Sequence, residues 1–291
     1  MVSALIAIEF TKIVRRRLNQ IVLAVFCGLL VVVYVLLWLA SDVVIEVGAA
    51  PDVATRLRST LYLQETVPFA MLMLYSFGFV SGVVVIGSNV GSEYGWNTIR
   101  MLIAAEPRRE RVLLAKLVTL WVVVVLALLL GLAVMLTTSA LITLAAGQFN
   151  LSFVDAAYVR DSTYSFLRLL VATAPYFALA ALLGVVGKSA TAGIAISFGV
   201  AFLEGIVGSL MSLAGGWLAE IPPYMLDTNA DTLGLANGGQ IGAMFGNSSA
   251  IGQAFNRPSL WHAAIVLACW AAAFMVASFW AFRRQDLEYQ G

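Results

Sequence analysis

The residues that could do chemistry are few and far apart along the chain. The single histidine, His262, and the two cysteines, Cys27 and Cys269, fall inside or beside long apolar stretches. One histidine cannot build an HExxH site or a multi-histidine metal centre, and cysteines within apolar helices usually pack as small hydrophobic residues. We therefore expect no catalytic residue, no metal ligand and no cofactor in this chain, while chemistry by carboxylates alone stays open.

One segment, Gly184-Val-Val-Gly-Lys-Ser189, has the letters of a phosphate-binding loop without its spacing. A Walker A loop needs four residues between its glycines and a strand before them, whereas this segment joins two apolar stretches. Lys188 is interpreted as part of a tight turn between helices. Because the chain has no nucleotide-hydrolysing motif, the energy for any work would come from a partner or an ion gradient.

Glu204 is the only acidic residue that falls well inside an apolar stretch. A charged side chain at the centre of a membrane helix costs about 2.5 to 3.5 kcal/mol on insertion scales. Its carboxyl group is therefore predicted to be protonated, paired or next to water. No basic residue stands at the same depth, so its partner stays open.

The elements that must position these residues are six apolar stretches long enough to cross a membrane. Hydrophobic residues make up 61% of the chain and charged residues 11%, with a mean hydropathy of +0.93. Soluble domains carry about 25% charged residues, and a membrane core needs about 20 largely uncharged residues in a helix. The predicted fold is an all-α integral membrane protein, with residues 1–291 as a single transmembrane domain. The spans are predicted near residues 21–41, 67–87, 117–137, 164–186, 191–212 and 260–282.

Basic residues are distributed unevenly between the two sides of such a bundle. Of the 17 lysines and arginines, the side with both termini would hold Lys12, Arg15, Arg16, Arg17, Arg100, Arg108, Arg109, Arg111, Lys116, Lys188, Arg283 and Arg284. The positive-inside rule then predicts a multi-pass protein of the cell (inner) membrane with both termini cytoplasmic. Residues 1–19 mix apolar and polar residues at helical spacing, which predicts an amphipathic helix on membrane lipids at the cytoplasmic face. The net charge of +1 gives no reason to expect nucleic acid as a partner.

Residues 91–116, between the second and third spans, form the most elaborate polar segment. Asn97 or Thr98 can cap a short helix, and Pro107 would stop it. The segment fits either a basic loop that holds lipid headgroups or a helix that docks a partner. Residue types alone leave both interpretations open.

The spacing within this segment resembles that of the ABC type-2 exporter permease family. The shared pattern is an acidic residue, an aromatic residue or glycine, Thr-x-Arg, an apolar pair, a proline with arginine close behind, and a lysine that opens the next span. In this chain it is formed by Glu93, Trp96, Thr98, Arg100, Leu102, Ile103, Pro107, Arg108, Arg109 and Lys116. Nearly the whole chain fits, since the family also has six spans, an amphipathic amino-terminal helix and a long external connection before span 6. Asn97 stands where family members often carry glycine.

The resemblance implies the transmembrane permease subunit of an ATP-driven exporter, which is not itself an enzyme. Two permease copies, identical or different, would pair, and each would dock an ABC ATP-binding subunit that holds ATP and Mg²⁺. The segment after span 2 would be the coupling helix. The residues implied to meet or border the ATPase are Glu93, Trp96, Thr98, Arg100, Glu106, Arg108 and Arg109.

The resemblance also implies that spans 2 and 5 line the translocation path. Tyr75 and Asn89 lie on span 2, and Ser197 and Glu204 on span 5, in stripes of small and polar residues. Small residues also serve close helix packing in membranes, so the glycines are interpreted as packing residues and Glu204 as path lining. A mostly apolar path favours a hydrophobic or amphipathic substrate, such as a drug, a peptide or a lipid-like molecule.

The connection 215–259 before span 6 is long and rich in glycine, proline and asparagine. Its apolar islands predict short helices that lie at, or dip into, the outer membrane surface. Three other functions stay open: a channel, a gradient-driven secondary carrier, and a membrane scaffold without transport. A carrier should place several ionisable groups within the membrane, and the sequence predicts only Glu204 there.

Overall fold

The computed structural model describes residues 2–46, 51–96, 109–237 and 258–285, and these residues form helices with no strand. The α-helices are α1 (Val2–Arg15), α2 (Arg17–Glu46), α3 (Pro51–Leu61), α4 (Thr66–Gly95), α5 (Arg109–Ala145), α6 (Ala156–Val186), α7 (Ser197–Ala214), α8 (Leu226–Asn237) and α9 (Leu260–Arg284). A π-helical turn, Ala192–Ile196, leads into α7, and two 3-10 segments, Gly216–Glu220 and Pro222–Tyr224, precede α8.

Six of these helical segments are long and apolar enough to cross a membrane. They are α2, α4, α5, α6, the π turn with α7, and α9, which confirms the predicted all-α fold with six candidate spans. Several helices are longer than predicted: α4 continues past residue 87 to Gly95, and α5 begins at Arg109 instead of residue 117. Hydropathy placed these ends at the first polar residues, but those residues find partners on neighbouring helices and the helices continue.

The two ends of the bundle differ in charge. The basic end holds the junction of α1 with α2, the end of α4, the start of α5 and the end of α9. The acidic end holds the start of α4, the end of α7 and all of α8. We use these two names below because Arg15 to Arg17, Lys116 and Arg283 lie at the first, and Asp227 and Asp231 at the second.

Helix α6 is the centre of the packing. It lies against α4 and α9 along most of its length, and the Phe177 ring sits over Gly82 of α4 and meets the Trp121 ring of α5 edge to face at 5.6 Å. Gly82 leaves the space that this ring fills, so the small residues of span 2 serve packing here. Helix α7, by contrast, is the least buried of the six spans.

The turn between spans 4 and 5 is pressed against α4. Lys188 adopts a left-handed backbone (φ 46°) just after the end of α6, in agreement with its interpretation as part of a tight turn. Gly91 of α4 lies directly on the backbone of Ser189 and Ala190, and Gly87 lies on Gly193 of the π turn. A side chain at either glycine would push the two segments apart, so this approach depends on glycine.

The described part of the connection before α9, up to Asn237, folds inward. Helix α8 packs among α4, α6, α7 and α9, with Ala230 and Leu233 buried. The Asn237 side chain donates to the Ser165 carbonyl (2.8 Å) and accepts from Arg168 (3.3 Å), which holds the last turn of α8 to α6. The apolar island at Trp217 lies in a 3-10 segment, while the island predicted at residues 241–245 lies outside the described residues.

Candidate functional site

Four charged side chains from three helices meet at the basic end, and we call them the charge network. Glu93, on the last turn of α4, forms ion pairs with Lys12 of α1 and Lys116 of α5. Glu9 of α1 lies 3.4 Å from the Lys116 ammonium and 3.5 Å from that of Lys12. Two carboxylates and two ammonium groups thus balance at one junction of α1, α4 and α5.

The charge network is largely closed to solvent. Glu93 is 1% exposed, Lys116 3% and Glu9 5%. Burial lowers the pKa of Lys12, but hydrogen bonds and charge from Glu93, and then from Glu9, outweigh it and raise that pKa above its usual value. Removing one member of a buried ion pair leaves an uncompensated charge, so the network fixes how these three helices meet.

A second set of polar contacts fastens the junction of α1 with α2 to α4. The Arg16 guanidinium donates to the Ser88 carbonyl (3.1 Å) and to the Asn89 side chain (3.0 Å). Asn89 in turn donates to the Asn19 side chain (3.0 Å). The guanidinium also lies 5.0 Å from the centre of the Trp96 ring, within the range of a cation–π contact.

The chain can turn at this junction because its free carbonyls are satisfied locally. Helix α1 ends at Arg15 and α2 begins at Arg17. The Asn19 side chain donates to the Ile13 carbonyl (2.8 Å), and that of Gln20 donates to the Val14 carbonyl (3.1 Å). The last carbonyls of a helix otherwise need water or another cap.

The predicted coupling residues lie in different surroundings. Glu93 lies inside the charge network, whereas Trp96, just after α4, is 60% exposed. Arg109 is the first residue of α5. The remaining predicted residues lie outside the described part of the chain: Thr98, Arg100, Glu106 and Arg108. The proposed short helix between Asn97 and Pro107 lies there as well.

The predicted path residues are not all in one place. Asn89 belongs to the contacts at the basic end, and the buried Ser197 hydroxyl donates to the Gly193 carbonyl of its own segment (2.7 Å). Tyr75 and Glu204 both reach α8 at the acidic end. Tyr75 and Glu204 thus both contact α8, at Asp231 and Leu226, whereas Asn89 contacts residues of the basic end.

Glu204 finds its partner at the start of α8. Its carboxylate accepts a hydrogen bond from the Leu226 backbone N–H, the first residue of that helix. Four N–H groups at a helix start have no partner within the helix, and a negative charge there is favourable. This is the contact with a neighbouring element that the sequence left unassigned.

Two further carboxylates lie beside Glu204. Tyr75 donates to Asp231 (3.1 Å), and an Asp227 carboxylate oxygen lies so close to α7 that a Cβ atom on Gly205 would be 2.9 Å from it. Burial raises the pKa of Asp227 to about 7, with the negative charges of Asp231 and Glu204 adding to the effect. This group can therefore bind and release a proton near neutral pH.

Sequence reasoning singled out Glu93 and Lys116 of the charge network but missed their partners on α1, Glu9 and Lys12. Glu9, Lys12 and Arg16 follow one another at helical spacing, and this face of α1 was expected to meet water at the membrane surface. The structure instead buries Glu9 and leaves the apolar Val14 45% exposed. The signal in the sequence was that acidic and basic residues on α1, α4 and α5 all fall at the same predicted side of the membrane, where they could pair. Asp227 and Asp231, four residues apart, were likewise not singled out.

No group of three or more histidine, cysteine or acidic side chains that could hold a metal ion occurs among the described residues.

Comparison with known proteins identifies a family. No curated protein matches the chain. A family described as "Protein of unknown function (DUF2705)" matches residues 57–287, which is well over half of the sequence. The chain therefore belongs to the DUF2705 family.

Proposed function

We propose that this protein is the transmembrane permease subunit of an ATP-driven ABC exporter. Its basic end lies in the cytoplasm, and residues 97–108 dock a separate ATP-binding subunit that holds ATP and Mg²⁺. A second permease copy completes the complex in the cell membrane. The substrate is hydrophobic or amphipathic, since the spans present few charges.

The observation that carries this proposal is the charge network around the docking segment. Glu93 lies two residues before the end of α4 at Gly95, and Lys116 lies in the second turn of α5. Their ion pair joins the two helices that lead into and out of residues 97–108, and Lys12 and Glu9 add α1 to the same junction. A segment that transmits force from an ATPase needs such a rigid attachment to its own spans.

The burial of the charge network also suggests different roles for the predicted coupling residues. Glu93 is closed to solvent, so we assign it to holding the docking segment in place. Trp96 is exposed at the edge of that segment and is assigned to contact with the ATPase, together with Thr98, Arg100, Glu106, Arg108 and Arg109.

The experiment is purification of the tagged protein from its native membrane, followed by ATPase assays in reconstituted vesicles. We expect an ABC ATP-binding subunit to copurify. Trp96→Ala should lower its recovery, or the substrate-stimulated ATPase rate, by about tenfold, as loss of an exposed aromatic anchor at an interface typically does. Trp217→Ala is the matched control, because Trp217 is 72% exposed but lies just after the end of α7, at the acidic end.

Two results would contradict the proposal. One is that no ATP-binding subunit copurifies with the wild-type protein. The other is that both tryptophan variants keep full recovery and full stimulated hydrolysis, which would return residues 97–108 to the role of a lipid-contacting loop.

A second candidate, a proton-driven carrier, is favoured by one observation. Glu204, Asp227 and Asp231 lie together around the start of α8, and a carrier needs such ionisable groups within reach of the membrane. The carrier predicts transport in vesicles driven by a pH gradient without ATP, and loss of that transport in Glu204→Gln. The exporter predicts no transport without ATP.

A further inference from the structure

An apolar groove of about 270 Å³ lies between α1, α2, α4 and α5 near the basic end. Val14, Phe26, Ser81 and Ala127 represent the four helices in its lining. It is separate from the charge network, although Asn19, which lines it, exchanges hydrogen bonds with Asn89 in the second set of polar contacts. Neither the coupling residues nor the path residues named above account for it.

The length of the groove matches part of one membrane leaflet. Its lining spans residues 19–26 of α2, 78–85 of α4 and 123–130 of α5. At a rise of 1.5 Å per residue each stretch covers roughly 10 Å, and one leaflet of a 30 Å core is roughly 15 Å deep. The groove begins beside the junction of α1 with α2, so it starts near the membrane surface and reaches about the middle of the third span.

The polar side chains at the end of the groove nearest the α1–α2 junction already have hydrogen-bond partners within the protein. Asn19 and Gln20 donate to the Ile13 and Val14 carbonyls, which leaves the cavity below them lined almost entirely by hydrocarbon. The volume lies below the roughly 300 to 1,000 Å³ of pockets for drug-sized ligands. The groove therefore suits one flexible chain better than a bulky molecule.

The rim of the groove faces the lipid. Val14 on α1 and Leu126 and Leu130 on α5 line it and are each nearly half exposed. A hydrocarbon chain can therefore enter sideways from the bilayer.

Two arginines adjoin, along the chain, residues that line the groove nearest the basic end. Arg15 follows Val14, and Arg17 precedes Asn19 by two residues; both are exposed, and neither makes an ion pair with any residue that the structure describes. Each basic residue near a membrane surface attracts anionic lipid by about 1 kcal/mol. An apolar groove beside these two unpaired arginines is complementary to an anionic lipid, because its lining suits an acyl chain and the arginines attract the headgroup.

We propose that this groove binds one acyl chain of an anionic phospholipid of the surrounding leaflet, with its headgroup at Arg15 and Arg17. The bound chain fills the angle between α1 and the spans. Because Asn19 joins the groove to Asn89, the lipid stabilises the position of α1 from which Lys12 and Glu9 reach the charge network.

The test measures lipid binding to the purified full chain in detergent by native mass spectrometry, with phosphatidylglycerol or phosphatidylcholine added. The wild-type protein should bind its first phosphatidylglycerol at least about fivefold more tightly than phosphatidylcholine, from the charge of one arginine alone. Ala127→Phe should weaken this first binding by about tenfold, since excluding two methylene groups already corresponds to that factor. Arg15→Gln with Arg17→Gln should remove the preference for phosphatidylglycerol.

Matched controls exist on α9, which does not line the groove. Ala273→Phe adds the same bulk at an exposed position, and Arg283→Gln with Arg284→Gln removes the same charge at the basic end. Both controls should bind phosphatidylglycerol as the wild type does. Size-exclusion chromatography of every variant checks that it is folded.

A measurement on the unmodified chain guards against misfolded variants. Phosphatidylglycerol with a diazirine in one acyl chain should crosslink to residues lining the groove several times more often than to the exposed face of α9. Equal crosslinking on both surfaces would overturn the proposal. Unchanged binding in a folded Ala127→Phe variant, or equal wild-type affinity for the two lipids, would overturn it as well.

Discussion

Lys116 and Lys12 both pair with Glu93, but they do so in different surroundings. Lys116 is almost closed to solvent, whereas 41% of the Lys12 side chain is exposed. Water solvates and screens the ion pair of Lys12 with Glu93, whereas the ion pair of Lys116 with Glu93 is surrounded by protein. The same ion-pair chemistry should therefore carry different free energies at the two positions.

We expect Lys116→Met to lower the free energy of unfolding by about 3 kcal/mol, because it leaves buried carboxylates without their inner partner. Lys12→Met should cost about 1 kcal/mol or less, as for partly exposed ion pairs. Reversible unfolding in mixed micelles measures both values. Equal losses in the two variants would show that the network is open to water.

Asp227 gives the stability of the protein a defined pH dependence. Its pKa rises from an ordinary 3.8 to about 7 in the folded state, so between these values the folded protein binds a proton that the unfolded chain releases. The protonated carboxyl thus contributes stability below pH 4, and this contribution is lost as the pH rises through 7. Because Asp227 is partly exposed, we expect a loss on the order of 2 kcal/mol, about half of what the full shift would give.

Asp227→Asn should remove this slope and make the protein more stable than wild type at pH 8. Thermal unfolding in detergent between pH 4.5 and 8 checks it. Asp161→Asn is the control, since the Asp161 side chain is 68% exposed and should leave the slope unchanged. A wild-type slope that survives in Asp227→Asn would assign the titration to another group.

At the scale of elements, the turn between spans 4 and 5 depends on how closely it approaches α4. Gly91 lies directly on the backbone of Ser189 and Ala190, which cannot move aside as a flexible side chain could. At Gly95, one turn later on the same helix, no other described segment places an atom within 4 Å of the position of a Cβ. Substituting each of these two glycines therefore distinguishes the effect of close packing, which applies at Gly91, from the effect of helix propensity, which applies at both.

Gly91→Leu should destabilise the protein by about 2 kcal/mol, as overpacking in a closed interface does. Gly95→Leu should be neutral or slightly stabilising, because leucine favours helix over glycine. The apparent melting temperature of each purified variant makes the comparison. Similar effects of the two substitutions would argue against the close approach of turn and helix.

The polar face of α1 shows how an element can be predicted from sequence while its contacts are not. Its helical spacing indicated a helix, and Val2–Arg15 is helical. An isolated amphipathic helix would turn Glu9 and Lys12 toward water. The carboxylate of Glu93 and the ammonium of Lys116 supply partners within the protein, so Glu9 packs inward while the Lys12 side chain stays 41% exposed.

At the scale of the whole molecule, the distribution of basic residues predicts which end lies in the cytoplasm. In a variant with Cys27 and Cys269 replaced by serine, single cysteines at Trp96 or Glu110 should react with an impermeant maleimide only after cells are opened. Cysteines at Ser152 or Glu220, exposed at the acidic end, should react in intact cells. Labelling in the reverse pattern would invert the orientation and place residues 97–108 outside the reach of an ATPase.

The sequence by itself determined the class of protein and the number of spans. Hydropathy over about 20 residues is a local property of the sequence. In lipid, a single spanning segment can make all its backbone hydrogen bonds only as a helix, so six apolar stretches suffice to predict six helical spans. The uneven distribution of arginine and lysine is also local. Both can be read without knowing which helices touch.

Only the tertiary structure decided which polar residues meet. Lys12 and Glu93 are 81 residues apart, and Tyr75 and Asp231 are 156 apart, so no spacing along the chain brings them together. Helix packing put Asn89 with Arg16 instead of with Glu204, and gave the Glu204 carboxylate the N–H of Leu226. Whether a charge is buried and paired depends on every helix around it, which is why the pattern that singled out Glu93 could not show that it faces inward.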